Sequence, residues 1–598
     1  MGESLPTKRP KPFKPAIAST ICLVWLISIG IIAFIWDLGG MGLVDETEPL
    51  FAEAARQMTV TGDWITPYFN GETRFDKPPL IYWAMALCYQ AMGVNPWAVR
   101  LPSALAAIAL GLFGFYTLRR FGRSPGATPP FAIAGCIGAT AIMLNVQTIA
   151  WARMGVSDML LSACMGAALF SFFFAYATPK RHGKQLWYQA FYIFCTLAVL
   201  TKGPVGIVLP GLIIVCFLTY MGNLKLVLGE MNLKAGLLLF FSLTLPWYIL
   251  VTLANGWDYM NSFFGYHNIE RFTRVVNNHS APWYFYIPTL FVGFFPWSVY
   301  LPVALFKTRF WQRRAWLRQP RRQHLRMFAF FWLICILVFF TIAVTKLPSY
   351  ILPVMPACGI LVAFMWSEPE AAHSKRPNPG LFWSGVANII ICLALATLAP
   401  LAAPFLSNDP SMPNLGITLQ ESGFLLQLAW HYTILAIALF ITLLGKWWRG
   451  LWTVNAIAFA AFMILLVTPI TAIVDQQRQL PLRELAQTVT QTRQPSEPLV
   501  MVGFWKPSLT FYTQSTVIYA DHSQKALVTL GNLIQNPETP NTILILGEPQ
   551  TFTNMGFEPQ QYQRLDQQGV YQLVRISKAE VIHTLNQNRE QARVFIDN

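Results

Sequence analysis

Apolar runs of about 17–25 residues, each long enough to cross a bilayer, recur along this chain from Ala16 to Ile473. A chain built this way has to satisfy its backbone hydrogen bonds inside each run, so helices are the only element that fits. Of its 598 residues 54% are hydrophobic and 12% charged, where a soluble protein carries about a quarter charged residues. The class is therefore an all-α polytopic membrane protein. The formal charge of +15 does not point to nucleic acid, because the basic residues cluster in short links between apolar runs, where they set orientation. The first run is long and lacks a small-residue cleavage site, so no cleavable signal is expected. The nine cysteines show neither zinc spacing nor a disulfide framework and read as packing residues.

Positive-inside placement threads the chain. The basic residues 1–15 are expected in the cytoplasm, with Ala16 to Trp36 crossing outward and residues 37–96 forming a first outer loop. Pro79 to Gly93 is short for a span. The arginines ending Trp97 to Leu118 require that only one of these two segments crosses, which makes the first an interfacial helix. Spans follow at Phe131–Ile149, Met159–Tyr176, Tyr188–Leu200, Ile207–Tyr220, Leu237–Leu253, Ile287–Phe306, Met327–Val344, Ile351–Trp366, Phe382–Leu398, Trp430–Leu444 and Leu451–Ile473. That gives about thirteen in all. The transmembrane unit is residues 16–473. Residues 474–598 are polar, with short apolar runs such as "PLVMVGF" and "NTILILG" that predict a small α/β domain outside the cytoplasm. It carries no nucleotide-binding or nucleophile motif.

This threading gathers the unusual polar residues on one side. The first loop holds Asp45, Glu46, Glu48, Asp63, Asp76 and Lys77; Arg153 and Asp158 begin the fourth span; "TKGP" brings Lys202. A later loop holds His267, Glu270, Arg271, Arg274 and His279, and "VTKLPSY" adds Lys346 and Tyr350. Charges in loops are ordinarily solvated, and Tyr82 and Trp83 read equally as an aromatic belt. Asp158 and Lys202 border apolar runs, where an unpaired charge is costly, so they are either a structural ion pair or part of a site. Taken together, the set suits group transfer at a membrane face. A carboxylate could accept a proton from a hydroxyl, and lysine and arginine could hold a phosphate on a lipid-linked donor.

The segments "FAEAARQM", "GDWITPYFNG", "FDKPPLIYW", "ARMGVSDMLL", "TKGPVG", "NIERF", "PWYFYIP", "GFFPWS" and "TKLPSYILPVMP", in this order, resemble the membrane glycosyltransferases of the GT-C fold. By pattern they resemble the aminoarabinose transferase and protein O-mannosyltransferase superfamily. The resemblance runs from Ala16 to about Trp366. It implies a sugar moved, with inversion, from a polyprenyl-phosphate carrier to a lipid, glycan or protein acceptor outside the cytoplasm, in a plasma (inner) membrane enzyme of the cell envelope. It makes Asp45 the catalytic carboxylate, with Glu46 beside it. It assigns the carrier phosphate to Lys77 and Arg271, helped by Tyr350 and Lys346 of the "KLPSY" segment. Asp76, Asp158, Lys202, His267, Glu270 and Tyr82 complete the candidate set. No cofactor is required by the pattern. Asp76 with His267 could ligate a divalent ion, but two ligands are fewer than such a site needs. Two departures stand out: "DETEPLFAE" is longer than the usual motif and has Glu48 near the place of an arginine, and Asp76 replaces the glutamate of "EKPP".

Two other classes compete. A transporter or flippase would place polar groups near the bilayer midplane in repeated halves, whereas here the span interiors are nearly free of ionisable residues. A polysaccharide ligase or polymerase would not call for the ordered "DE…DKPP…KLPSY" set.

Overall fold

The computed structural model describes residues 15–122, 131–270, 273–274, 280–367, 379–406 and 409–596. Among them nine helices are long and apolar enough to cross a membrane, or eleven spans if each of two bent pairs is one span. Eleven of the thirteen expected runs have counterparts in these helices and bent pairs. The other two counterparts are Arg181–Lys202, polar in its first turns, and the 16-residue Val205–Tyr220. Length and composition alone thus support fewer spans than the thirteen expected.

Each bend has a local cause. The run predicted at Phe131–Ile149 turns by 61° after Met143. There Asn145 donates to the carbonyls of Ala141 and Ile142, each at 2.9 Å, and accepts from Thr148 N at 2.8 Å. One side chain so closes the first helix and caps the next, Val146–Ala152. Tyr286–Gly293 and Trp297–Thr308 meet at 114°, where Pro296 has no N–H to continue the ladder. Gly203, at φ 89°, ends Arg181–Lys202. A Cβ on Gly206 would lie 2.5 Å from the Ala198 carbonyl carbon. Those two glycines let the hairpin close tightly with Lys202 at its tip.

Ser157–Ala177 and Pro348–Trp366 are the central spans, each with 94% of its apolar window buried, against 56% or less for the rest. The loop after the first span forms helix Glu48–Thr61, a hairpin of β1 (Tyr68–Phe69) and β2 (Glu72–Thr73), and helix Leu80–Met92. The last helical run continues from Leu451 to Thr492 without ending at Ile473. At 1.5 Å per residue it is about 60 Å long, and it enters the C-terminal sheet unit directly.

That sheet has order β4-β3-β5-β7-β6, from β3 (Leu499–Val502), β4 (Ile518–Ala520), β5 (Thr542–Gly547), β6 (Tyr562–Gln568) and β7 (Tyr571–Ser577). β3 runs parallel to β4 and β5, and β7 antiparallel to β5 and β6. Alternate residues of β3 enter opposite cores: Val500 and Val502 meet Ala526 and Leu530, while Leu499 and Met501 meet Leu482 and Leu485. Both faces of β3 and β5 are covered, which is why these two strands read as continuous apolar runs.

Candidate functional site

Five of the predicted residues come together. Asp76 and Lys77 precede helix Leu80–Met92, Asp158 opens Ser157–Ala177, Lys202 closes Arg181–Lys202, and Tyr350 lies in the short helix Pro348–Val354. Lys202 Nζ is 2.6 Å from Asp158 Oδ1 and 5.7 Å from the centre of the Tyr350 ring. Lys77 Nζ is 2.5 Å from Asp76 Oδ1, and Arg74 Nη2 is 2.9 Å from Asp76 Oδ2. Three cations therefore face two carboxylates. Their side chains are only 9–16% exposed, so each charge depends on its partner.

These groups stand where two cavities meet. Asp76, Lys77, Asp158, Lys202, Ser349 and Tyr350 line both. The larger, about 420 Å³, is otherwise mostly apolar, walled by Leu161, Val208, Leu209, Phe263, Phe264, Phe339 and Phe340 among others. The smaller, about 240 Å³, adds Thr47, Phe51, Trp151, Ser157 and Thr345. A third, apolar hollow of about 490 Å³ between Arg181–Lys202, Val205–Tyr220 and Leu233–Asn255 shares Pro204 and Phe264 with the first. The arrangement suits an amphiphile, with a greasy tail on one side, an anion at the lysines and a polar group on the other side.

Asp45 is placed differently. It lines none of these cavities and is 7% exposed, and its carboxylate accepts from both N and Oγ of Ser508, in the C-terminal unit. Burial pushes its pKa up to about 6, against the Ser508 hydrogen bonds and the charges of Lys506 and Arg478, which favour the carboxylate. Its neighbour Glu46 is half exposed, with Lys506 Nζ 3.5 Å away. Thr47, two residues on from Asp45, does reach the polar cavity.

The other candidates divide. Lys346 is not brought to the cavities: its ammonium donates to the carbonyls of Thr341 and Ala343 at 2.9 and 2.6 Å, closing the end of Leu325–Ile342. Tyr82 is fully buried and stacks on Phe51 with ring centres 5.5 Å apart, so Phe51 and not Tyr82 faces the cavity. Glu270 is tied by its carbonyl to Arg274 N at 2.7 Å and lines neither cavity. Arg271 and His279 lie outside the described residues, as does the side chain of His267; Thr273 lines the larger cavity. Among the described residues no group of three or more His, Cys, Asp or Glu could hold a metal, and both Asp76 oxygens already face cations.

Besides Arg74 beside Asp76, two structural residues escaped the sequence reading. Arg100 is buried in Pro96–Phe121. It makes a two-pronged ion pair with Glu48, both contacts at 2.8 Å, and donates to the carbonyls of Leu38, Met41 and Gly42. Glu48 also accepts from Gly155 N at 2.7 Å. The pair pins the first loop to two spans. An arginine in the first turns of an apolar helix, far from the basic pair at its other end, was the available signal. Ser508 left no such mark.

Known proteins match on both scales. Residues 38–260 match the family described as dolichyl-phosphate-mannose-protein mannosyltransferase, and residues 492–592 the C-terminal domain of cyanobacterial RgtA-type glycosyltransferases. The undecaprenyl phosphate-α-4-amino-4-deoxy-L-arabinose arabinosyl transferase of Pseudomonas aeruginosa (strain LESB58) is 29% identical over 395 residues, 65% of this chain and 67% of that protein. Its counterpart in Serratia proteamaculans is 28% identical over 62% of this chain and 65% of that one. Among solved structures, ArnT from Cupriavidus metallidurans bound to undecaprenyl phosphate superposes with a TM-score of 0.75 at 22% identity, covering 93% of this chain and 98% of that one. The fold is thus that of ArnT.

Proposed function

We infer that this chain is a membrane glycosyltransferase of the GT-C fold, related to the aminoarabinose and protein-mannosyl transferases, that takes its sugar from a polyprenyl-phosphate donor. The observation that carries the reading is the junction of an apolar cavity with a polar one at Lys77, Lys202 and Tyr350. The prenyl chain would lie along Leu161, Val208 and Phe340, the phosphate against the two lysines, and the sugar toward Thr47 and Trp151. Arg271, two residues before Thr273, is proposed as a third cation at the phosphate.

In the reaction an acceptor hydroxyl attacks the anomeric carbon from the face opposite the phosphate. The C–O bond to phosphate breaks, the electron pair leaves with the phosphate oxygen, and the hydroxyl proton passes to a carboxylate. Lys77 and Lys202 neutralise the charge that builds on the leaving group. The phosphate competes for them with Asp76 and Asp158, so donor binding loosens two existing ion pairs. Those carboxylates are already engaged by ammonium groups. Asp45, with its pKa near 6, is suited to take a proton near neutral pH. To do so its carboxylate exchanges Ser508 for the acceptor hydroxyl. The orientation proposed has thirteen spans, a cytoplasmic N-terminus, and the site and C-terminal unit on the opposite side.

Purified wild type and Asp45→Asn, each incubated with a panel of polyprenyl-phosphate sugars and native-membrane acceptor, test this by mass spectrometry of free polyprenyl phosphate. Release by wild type and at least a hundredfold less by Asp45→Asn is expected for loss of a general base. Equal release by both would move the base elsewhere. Release by neither, with folded protein, would favour a transporter.

A further inference from the structure

The C-terminal unit grips the first loop at several points. Tyr512 OH receives a hydrogen bond from Leu43 N at 2.8 Å, and the amide of Asn70 pairs with Val517 through two contacts of 2.8 Å. Phe511 packs into the core formed by Leu43, Phe51 and Tyr82. Asp45 lies within this grip. Among the described residues no cation stands within ion-pair distance of it, and its hydrogen bonds come from Ser508 alone, through N at 2.9 Å and through Oγ. A buried carboxylate with so few partners tends to take up a proton and cease to be a base.

We infer that Ser508 is a positioning residue for Asp45: its hydroxyl and backbone N–H hold the side chain as an oriented carboxylate until an acceptor hydroxyl takes their place. On this inference the C-terminal unit supplies part of the active centre. It rests on the reading above, in which Asp45 is the base. The other groups around Asp45 are few. Lys506 comes from the segment just before Ser508, Arg478 from the Leu451–Thr492 run, Tyr519 from β4, Tyr571 from β7, and Glu46 from its own loop. Lys506 and Arg478 act at a distance as favourable charges. Removing the Ser508 hydroxyl leaves them in place and takes away one of two direct donors.

The test is infrared difference titration of full-length protein in lipid nanodiscs, with Asp45→Asn subtracted to isolate the Asp45 carboxylate, alongside the pH profile of donor consumption. Wild type should titrate near 6. Ser508→Ala should move the midpoint up by about one pH unit, the size expected for one hydrogen bond to a charged group, and the acid limb of the rate should follow. Ser508→Thr, which keeps the hydroxyl, should keep the wild-type midpoint. If Ser508→Ala does not fold, Ser508→Cys, of similar size but a weak donor, reads the same shift. A midpoint that stays put, with rates lowered evenly at all pH, overturns the inference and leaves the glycosyltransferase reading intact. A midpoint that moves while the rate limb does not supports the Ser508 contact and removes Asp45 as the base.

Discussion

At the residue scale, Asp45 has a thermodynamic signature independent of catalysis. Burial holds its pKa at about 6, above the ordinary aspartate range. A carboxyl raised in the folded state contributes its full stability below about pH 4 and loses it as pH rises through about 6, because the ionised form is the one burial disfavours. Asp45→Asn should therefore raise the apparent melting temperature at pH 7–8, by the equivalent of about 2–3 kcal/mol, and the gain should vanish near pH 4. A gain that grows toward low pH would contradict the burial. Lys202 and Asp158 behave as a pair. Lys202→Met or Asp158→Asn alone strands a largely buried charge and should cost about 3–5 kcal/mol, whereas the double variant should cost clearly less than the two together. Strict additivity in thermal unfolding would mean the pair is not coupled.

At the element scale, the first loop is held from two sides, by the Glu48–Arg100 pair against the spans and by Ser508 and Tyr512 against the sheet unit. Arg100→Lys keeps the charge but loses the guanidinium fork that reaches Glu48 and three carbonyls. It should expose residues 42–48 to limited proteolysis and lower activity at least tenfold. Unchanged protection of that segment would show the pair to be dispensable. The same contrast explains what was legible. Asp158 and Lys202 could be found because a charge beside an apolar run requires a partner, and the short "TKGP" link confined the choice; Lys77 was found through its place in the ordered motifs. The partner of Asp45 could not be found, because Ser508 is 463 positions away and serine carries no pattern. Lys346 misled because it shares a motif with Tyr350: the turn between them sends the tyrosine to the cavity and the lysine back onto its own helix. The bends at Asn145 and Pro296 were written in the chain, but a hydropathy run averages over a capping asparagine.

At the scale of the whole molecule, the order of apolar helices, the first-loop helix at Pro79–Gly93 and the terminal α/β unit followed from apolar runs, the placement of basic residues and composition. Their meeting at one polar junction did not, since packing of the two central spans decides which ends coincide. The proposed orientation puts the 313–326 arginine-rich link and the C-terminal unit on opposite sides. Cysteines introduced at Arg318 and at Ser523 should differ in labelling by an impermeant maleimide in intact cells, with only the latter reacting; equal reaction would refute the thirteen-span threading. Whether the junction holds a polyprenyl phosphate is decided by native mass spectrometry of wild type and the Lys77→Met/Lys202→Met variant. Each is offered undecaprenyl phosphate or the uncharged undecaprenol. Wild type should retain the phosphate and release the alcohol, and the variant should retain the phosphate at least tenfold less. Equal retention of the phosphate by both proteins would place the lipid elsewhere and contradict its binding at the junction.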